Sequence, residues 1–179
     1  MSACGATPPQ RPPRVATADA LLTAVSCPTV NVVLVRPEIP QNSGSIARLV
    51  AAVKGRLHLV GPLGFSLEDR YLKRAGLDYW PLVDLRTYKS WTEFLEGHRG
   101  CELKLFSVHA RQSYLDARYS AGDFLVFGGE TRGLGPALLR SRPGSSYRIP
   151  ILQPGVRSLN LGSAVSIVVY EALRQARVV

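Results

Sequence analysis

The sequence predicts an α/β domain built on a largely parallel sheet flanked by helices. Three observations carry that prediction. Short runs of β-branched and other apolar residues recur along the chain, with the continuous hydrophobicity of strands buried on both faces. Segments with apolar residues at helical spacing lie between them. Most of the strand runs end in a turn rich in Gly or Pro, where βα units reverse. A chain of 179 residues suits one domain of this kind, with enough length for a proper core.

The elements follow in order. Residues 30–35 form a β-branched run closed by Pro37, a buried parallel strand. Residues 44–54 place Ile46, Leu49, Val50 and Val53 at helical spacing. Residues 56–60 read as a second strand, stopped by Gly61 and Pro62. Residues 67–75 and 90–96 are helix candidates, and 103–108 and 124–127 further strands. A short helix over 137–140 follows a glycine-rich turn. Residues 147–151 are the last strand and 160–175 the last helix.

Residues 1–28 differ in character. They hold Pro8, Pro9, Pro12, Pro13 and Pro28, no aromatic residue and one acid, Asp19. Such sequence buries too little apolar surface to offset the cost of ordering, so a flexible extension is expected ahead of a domain at 29–179. A short amphipathic helix over 17–25 fits within it. Arg11 and Arg14, with few acids, also give the segment some likeness to an organelle transit peptide, although a plain extension of a cytoplasmic protein accounts for it more simply.

Composition narrows the function. Lys and Arg outnumber Asp and Glu 22 to 13, a formal charge of +9 that favours a polyanionic partner such as nucleic acid. Cys4, Cys27 and Cys101 are odd in number and widely spaced, which fits neither a disulfide framework nor a metal site. His58, His98 and His109 are equally scattered, so no metal is expected. No apolar run approaches the ~18–20 residues of a membrane helix.

Three polar turns stand out. The first runs from Arg36 to Leu49 at a strand's carboxyl end, where open α/β sheets bind ligands. There Asn42, Ser43 and Gly44 present small polar groups at a helix start, and Arg48 lies one turn beyond Ser45. Taken alone, Asn42 as a helix cap and Arg48 as a surface cation explain it. The second, Phe124 to Pro136, carries Gly128 and Gly129 after a strand, where another group can approach the backbone. It is neither a dinucleotide-binding nor a phosphate-binding glycine fingerprint, and Glu130 beside Arg132 reads equally as an ion pair fixing the turn. The third crowds Gly155, Arg157, Ser158 and Asn160 into the start of the last helix. A helix cap needs one Ser or Asn, whereas this grouping suits a ligand at the unpaired N–H groups of the first turn.

Together these segments resemble the SPOUT superfamily of RNA methyltransferases, over residues 31–175 and in the order and spacing of all three. The likeness is greatest to a small branch that consists of little more than the catalytic domain, the tRNA wobble-nucleotide 2′-O-methyltransferases. Pro37 to Arg48 resembles the first motif, Phe127 to Leu134 the second, and Arg157 to Leu161 with Ala164 to Ala172 the third. Leu72 to Tyr79 also matches that branch. The resemblance implies a deep trefoil knot in the C-terminal part, a feature almost absent from proteins in general. It implies S-adenosylmethionine bound at Val108, Gly128, Ile149 and Ser158, with Leu159 adjacent, and a homodimer acting on tRNA. Gly129 and Gly135 stand where that branch has prolines, Gly162 replaces a serine, and residues 153–156 run about one residue longer.

By the same resemblance Arg48 assists removal of the ribose hydroxyl proton. An arginine keeps its own proton up to a pKa above ~12, so polarising the hydroxyl suits it at least as well as full transfer. Asn42 is the candidate for orienting the ribose or Arg48, and Asn160 and Glu130 for supporting the site. Lys73, Arg74, Arg36, Arg70 and Arg111 are candidate phosphate contacts. Tyr170, ten residues beyond Asn160, reads as dimer or core packing rather than catalysis. The alternatives are methylation of another tRNA or rRNA position, or an RNA-binding relative without activity. A nucleotide-binding oxidoreductase lacks its fingerprint here.

Overall fold

A computed structural model describes residues 28–67 and 79–179 of the chain. Seven strands form one sheet: β1 (Asn31–Val35), β2 (Arg56–Val60), β3 (Asp84–Tyr88), β4 (Leu103–Phe106), β5 (Gln112–Ser113), β6 (Phe124–Gly128) and β7 (Ser146–Arg148). Their spatial order is β3-β2-β1-β6-β4-β7-β5, and every pairing is parallel. The predicted α/β class with a parallel sheet is therefore correct. The four described α-helices are α1 (Pro40–Ala52), α2 (Trp91–Gly97), α3 (Pro136–Ser141) and α4 (Leu161–Gln175).

Strands β1 and β6 occupy the middle, and all ten of their residues are buried. Alternate side chains serve opposite faces. Val32 and Leu34 pack with Ile46, Ala47 and Val50 of α1 and Val165, Val168, Val169 and Leu173 of α4. Val33 and Val35 pack on the other face with Phe94 of α2, against which Leu138 and Leu139 of α3 also lie. Burial of β-branched residues on both faces is what stabilises a continuous apolar strand in a parallel sheet.

Several elements depart from the sequence reading. Helix α1 begins at Pro40 rather than at residue 44, because proline at the first helical position lacks only an N–H that has no partner there. Asn42 is consequently inside the helix and makes no cap. Strands β3 and β5 are additional to those expected. The candidate helices at 17–25 and 67–75 fall, all but Leu67, outside the described residues, as does the extension before Pro28.

At its far edge the sheet has an unusual connection. Strand β7 lies between β4 and β5, pairing with both, although β4 and β5 are joined by residues 107–111 alone. The amide of Ser107 donates to the carbonyl of Tyr147 at 2.9 Å where that bridge begins. The later strand thus occupies the gap spanned by an earlier, very short loop. A threaded C-terminal part requires an arrangement of this kind.

Among the described residues, the buried side-chain polar groups of the core are matched except the Ser43 hydroxyl, which has no partner. Lys104 and Asp123 form a buried ion pair at 2.7 Å, and Asp123 also accepts from the Ser120 amide. His58 is buried, with Nε2 3.1 Å from Asn31 Oδ1 and Nδ1 3.0 Å from the Tyr88 hydroxyl. Because Asn31 Nδ2 donates to the Gly122 carbonyl, its oxygen faces the ring; Nε2 carries the proton and Nδ1 accepts from Tyr88. Burial, helped by the nearby charges of His98 and Arg56, pushes His58 down to about 3.

Stability depends on pH as a result. The unfolded chain takes up a proton at His58 near 6.5, whereas the folded chain resists it down to about 3. Stability is therefore complete above pH 6.5 and falls on acidification, by up to about 1.4 kcal/mol per pH unit. Urea unfolding at pH 7 and pH 5 should show that loss, and His58→Asn should flatten it.

Candidate active site

The carboxyl ends of β1 and β6 lie side by side, Val35 opposite Gly128. The chain leaves β1 through Arg36, whose φ is +54°, and enters α1; it leaves β6 through a tight turn in which the Gly133 amide donates to the Gly129 carbonyl at 2.9 Å. That turn folds back over β6 so closely that a Cβ on Gly128 would sit 1.9 Å from the Gly133 carbonyl carbon. Only glycine fits there. The Gly129 amide donates to the Val35 carbonyl at 2.9 Å, a bond that a proline at this position would forfeit. Gly135 has φ +76°, which proline cannot adopt. Two of the departures from the resembled pattern thus belong to this turn's own geometry.

One hydrogen-bonded relay joins all three polar turns. Glu130 Oε2 accepts from the Glu38 amide at 2.8 Å, and its Oε1 accepts from Asn42 Nδ2 at 2.9 Å. Asn42 Oδ1 in turn accepts from Asn160 Nδ2 at 3.0 Å. Asn160 Oδ1 accepts from the amides of Gly162 and Ser163, capping α4. Asn42, Glu130 and Asn160 are thereby brought together as the sequence proposed. The alternative of an ion pair between Glu130 and Arg132 is absent from the described contacts: both carboxylate oxygens of Glu130 are engaged elsewhere.

The residues that the resemblance gives to the cofactor lie at neighbouring strand ends and in the loop before α4. Gly128 ends β6, while Val108 and Ile149 follow the neighbouring ends of β4 and β7. Ser158 and Leu159 immediately precede Asn160, which the relay ties to Asn42. Residues 149–160 have no regular structure, and among the described residues their one backbone bond to another backbone group outside helix α4 is Val156 to Gln153. Leu152 and Val156 within this segment, and Val108 after β4, leave apolar surface exposed. Apolar surface next to unpaired backbone donors and acceptors fits a nucleoside held largely through main-chain contacts.

Arg48 stands apart from the relay. It is exposed, and its guanidinium carbon lies 5.5 Å from the centre of the Tyr79 ring, whose hydroxyl donates to the Gly44 carbonyl at 3.0 Å. No described carboxylate pairs with it. Arg36 and Arg111 are likewise exposed, while Arg70, Lys73 and Arg74 fall outside the described residues.

Sequence reasoning gave no role to Glu38 and Thr131. The Thr131 hydroxyl donates to Glu38 Oε2, which ties the two turns together a second time. The available signal was an acid a few residues beyond a strand end, opposite a turn that carries its own acid.

The described residues contain no helix long and apolar enough to cross a membrane and no cluster of three or more metal-ligating side chains. Residues 29–170 match the SpoU rRNA Methylase family. A tRNA (cytidine(34)-2′-O)-methyltransferase of Polaromonas sp. is 47% identical over 148 residues, covering 81% of this chain and 90% of that protein. One from Burkholderia pseudomallei is 46% identical over 149 residues, covering 82% and 95%. A solved structure concerned with the 2-OH methylation of C/U34 on tRNA superposes with TM-score 0.79 at 48% identity, covering 84% of this chain and 97% of that one. The SpoU methyltransferase AviRb from Streptomyces viridochromogenes, in complex with the cofactor AdoMet, superposes with TM-score 0.71 at 26% identity, covering 83% and 57%. A match over nearly the whole described domain, on a fold whose three polar turns meet in one relay, places this chain in the SpoU methylase family.

Proposed function

We propose that the chain methylates the ribose 2′-hydroxyl of the wobble nucleotide, cytidine or uridine, in a tRNA anticodon loop. The observation that carries this reading is the Glu130–Asn42–Asn160 relay, intact at the sheet's carboxyl edge between the two groups of loops. The identity to proteins named for cytidine 34 supports the position. A basic chain of charge +9 supports an RNA partner, and an anticodon loop offers unpaired nucleotides that a small domain can reach.

S-adenosylmethionine, when bound, supplies a methyl group already activated by the positive sulfonium. Val108, Gly128, Ile149, Ser158 and Leu159 would hold it. The task left to the chain is to align the acceptor oxygen and help its proton away. Asn42 is fixed at both ends of its amide, with Nδ2 on Glu130 and Oδ1 on Asn160. It keeps one amide hydrogen and one lone pair in a set direction, and these orient the ribose hydroxyl. Arg48 polarises that hydroxyl, with an RNA phosphate holding its guanidinium in place.

Two further features belong to this reading. The exposed Ile167 and Tyr170, one turn apart on α4, support a homodimer sharing one tRNA. The insertion of β7 between β4 and β5 supports the knotted C-terminal part. The protein then acts where tRNA is processed, in the cytoplasm. The test is mass-spectrometric mapping of ribose methylation on tRNA from a strain lacking the gene and from the complemented strain. Loss and return of the methyl group at nucleotide 34 is the expected result. A methyl group lost from another tRNA or rRNA position would reassign the substrate.

A further inference from the structure

Across β6 from the loops assigned to the cofactor lies a cleft of about 390 Å³. It opens at the carboxyl ends of β1, β2 and β6 and is lined by Arg36, Glu38, Leu63, Gly129, Thr131 and Arg132, among others. The cleft is polarised. Arg36 and Arg132 are exposed at its mouth, and neither pairs with a carboxylate among the described residues. A guanidinium nitrogen of Arg36 comes 4.0 Å from where a Gly135 side chain would start, so this arginine reaches from β1 across to the turn that carries Arg132. Deeper in, Glu38 is half-buried and Gly129 buried. The Thr131 hydroxyl occupies Glu38 Oε2, while Oε1 has no described partner. Leu63 supplies an apolar wall.

A cationic mouth, an apolar wall and a carboxylate with a free oxygen match the three parts of a nucleotide: phosphate, base face and base edge. A carboxylate accepts from an exocyclic amine, such as N4 of cytosine, and has nothing to offer O4 of uracil. The Glu38 main chain and the Asn42 side chain both bind the Glu130 carboxylate. The Glu130 carboxylate thus ties Glu38 and Asn42 together, so a base at Glu38 is within one nucleotide's reach of Asn42. We propose, resting on the reading of the chain as a tRNA ribose methyltransferase, that this cleft receives the target nucleotide. Arg36 and Arg132 grip its phosphate, and Glu38 reads the amine of its base, which makes Glu38 the residue favouring cytidine over uridine.

The experiment uses the full-length protein, with matched anticodon stem-loop RNAs bearing cytidine or uridine at the target position. Arg36→Ala with Arg132→Ala removes two exposed side chains, and an unchanged thermal midpoint shows that the fold survives. The double variant should bind the stem-loop on the order of 10- to 100-fold more weakly. The slope of log affinity against log salt should fall by about 0.7, the value for one single-strand phosphate. S-adenosylmethionine affinity should be unchanged. Glu38→Gln, whose amide accepts or donates, should cut the ratio of kcat/KM on cytidine over uridine severalfold. Wild-type RNA affinity and salt slope in the double variant, or an unaltered ratio in Glu38→Gln, overturns the proposal. A wild-type protein that neither binds nor methylates either RNA overturns instead the function on which it rests.

Discussion

Arg48→Ala should lower the rate of methyl transfer by on the order of 10²–10⁴, the contribution expected of a group that assists proton removal. The fold should barely register the change. Arg48 is exposed on α1, and its one described contact is with the Tyr79 ring at 5.5 Å, a cation–π interaction worth about 0.5–1 kcal/mol at the surface. S-adenosylmethionine affinity should also be retained, because Val108, Gly128, Ile149 and Ser158 come from the ends of other strands and from the loop before α4. Single-turnover transfer, calorimetric cofactor titration and thermal unfolding separate these quantities. Arg48→Lys refines the result: lysine keeps the charge but not the planar fork of donors. A role in polarising the hydroxyl while gripping a phosphate demands that fork, so lysine should recover little. Turnover near wild type in Arg48→Ala would remove this residue from the mechanism.

The central strands were legible because burial on both faces leaves an uninterrupted apolar signature, as in Val32 to Val35 and Phe124 to Phe127. Strand β3 was not, since Asp84, Arg86 and Thr87 give an outer strand of the sheet the composition of a loop, and the two residues of β5 carry no period at all. The polar run Gln41 to Ser43 lay outside the helix expected from residue 44 but is the first part of α1. There the Gly44 carbonyl accepts from the Tyr79 hydroxyl, and Ser43 is wholly buried. In the site, the residue types were readable and their partners were not. Glu130 sits two residues from Arg132 yet binds Glu38 and Asn42, 92 and 88 positions away. That pairing follows from β1 and β6 being neighbours in the sheet, a fact of strand order that no local pattern encodes.

Glu130→Gln changes one oxygen for an NH₂ group at constant shape, and it should reduce methyl transfer on the order of a hundredfold. The reason lies in the order of donors and acceptors along the relay. Glutamate accepts twice, from the Glu38 amide and from Asn42 Nδ2. Glutamine accepts once, so with its oxygen on Glu38 its NH₂ group faces Asn42. Asn42 must then turn its amide over, presenting Oδ1 to residue 130 and Nδ2 to Asn160. Asn160 now meets a donor with its own Nδ2 and has to choose between Asn42 and the amides of Gly162 and Ser163 that its oxygen caps. Either it keeps the cap and loses Asn42, or it turns and gives up a cap worth about 1 kcal/mol. In both cases Asn42 offers the ribose hydroxyl a reversed amide. Asn42→Asp in the Glu130→Gln background restores the sequence of bonds, since an aspartate accepts both from the NH₂ group introduced at position 130 and from Asn160 Nδ2. Partial recovery of rate in that double variant over Glu130→Gln alone would show that the relay acts through bond polarity. Equal rates in the two would instead confine Glu130 to holding the turn at Glu38.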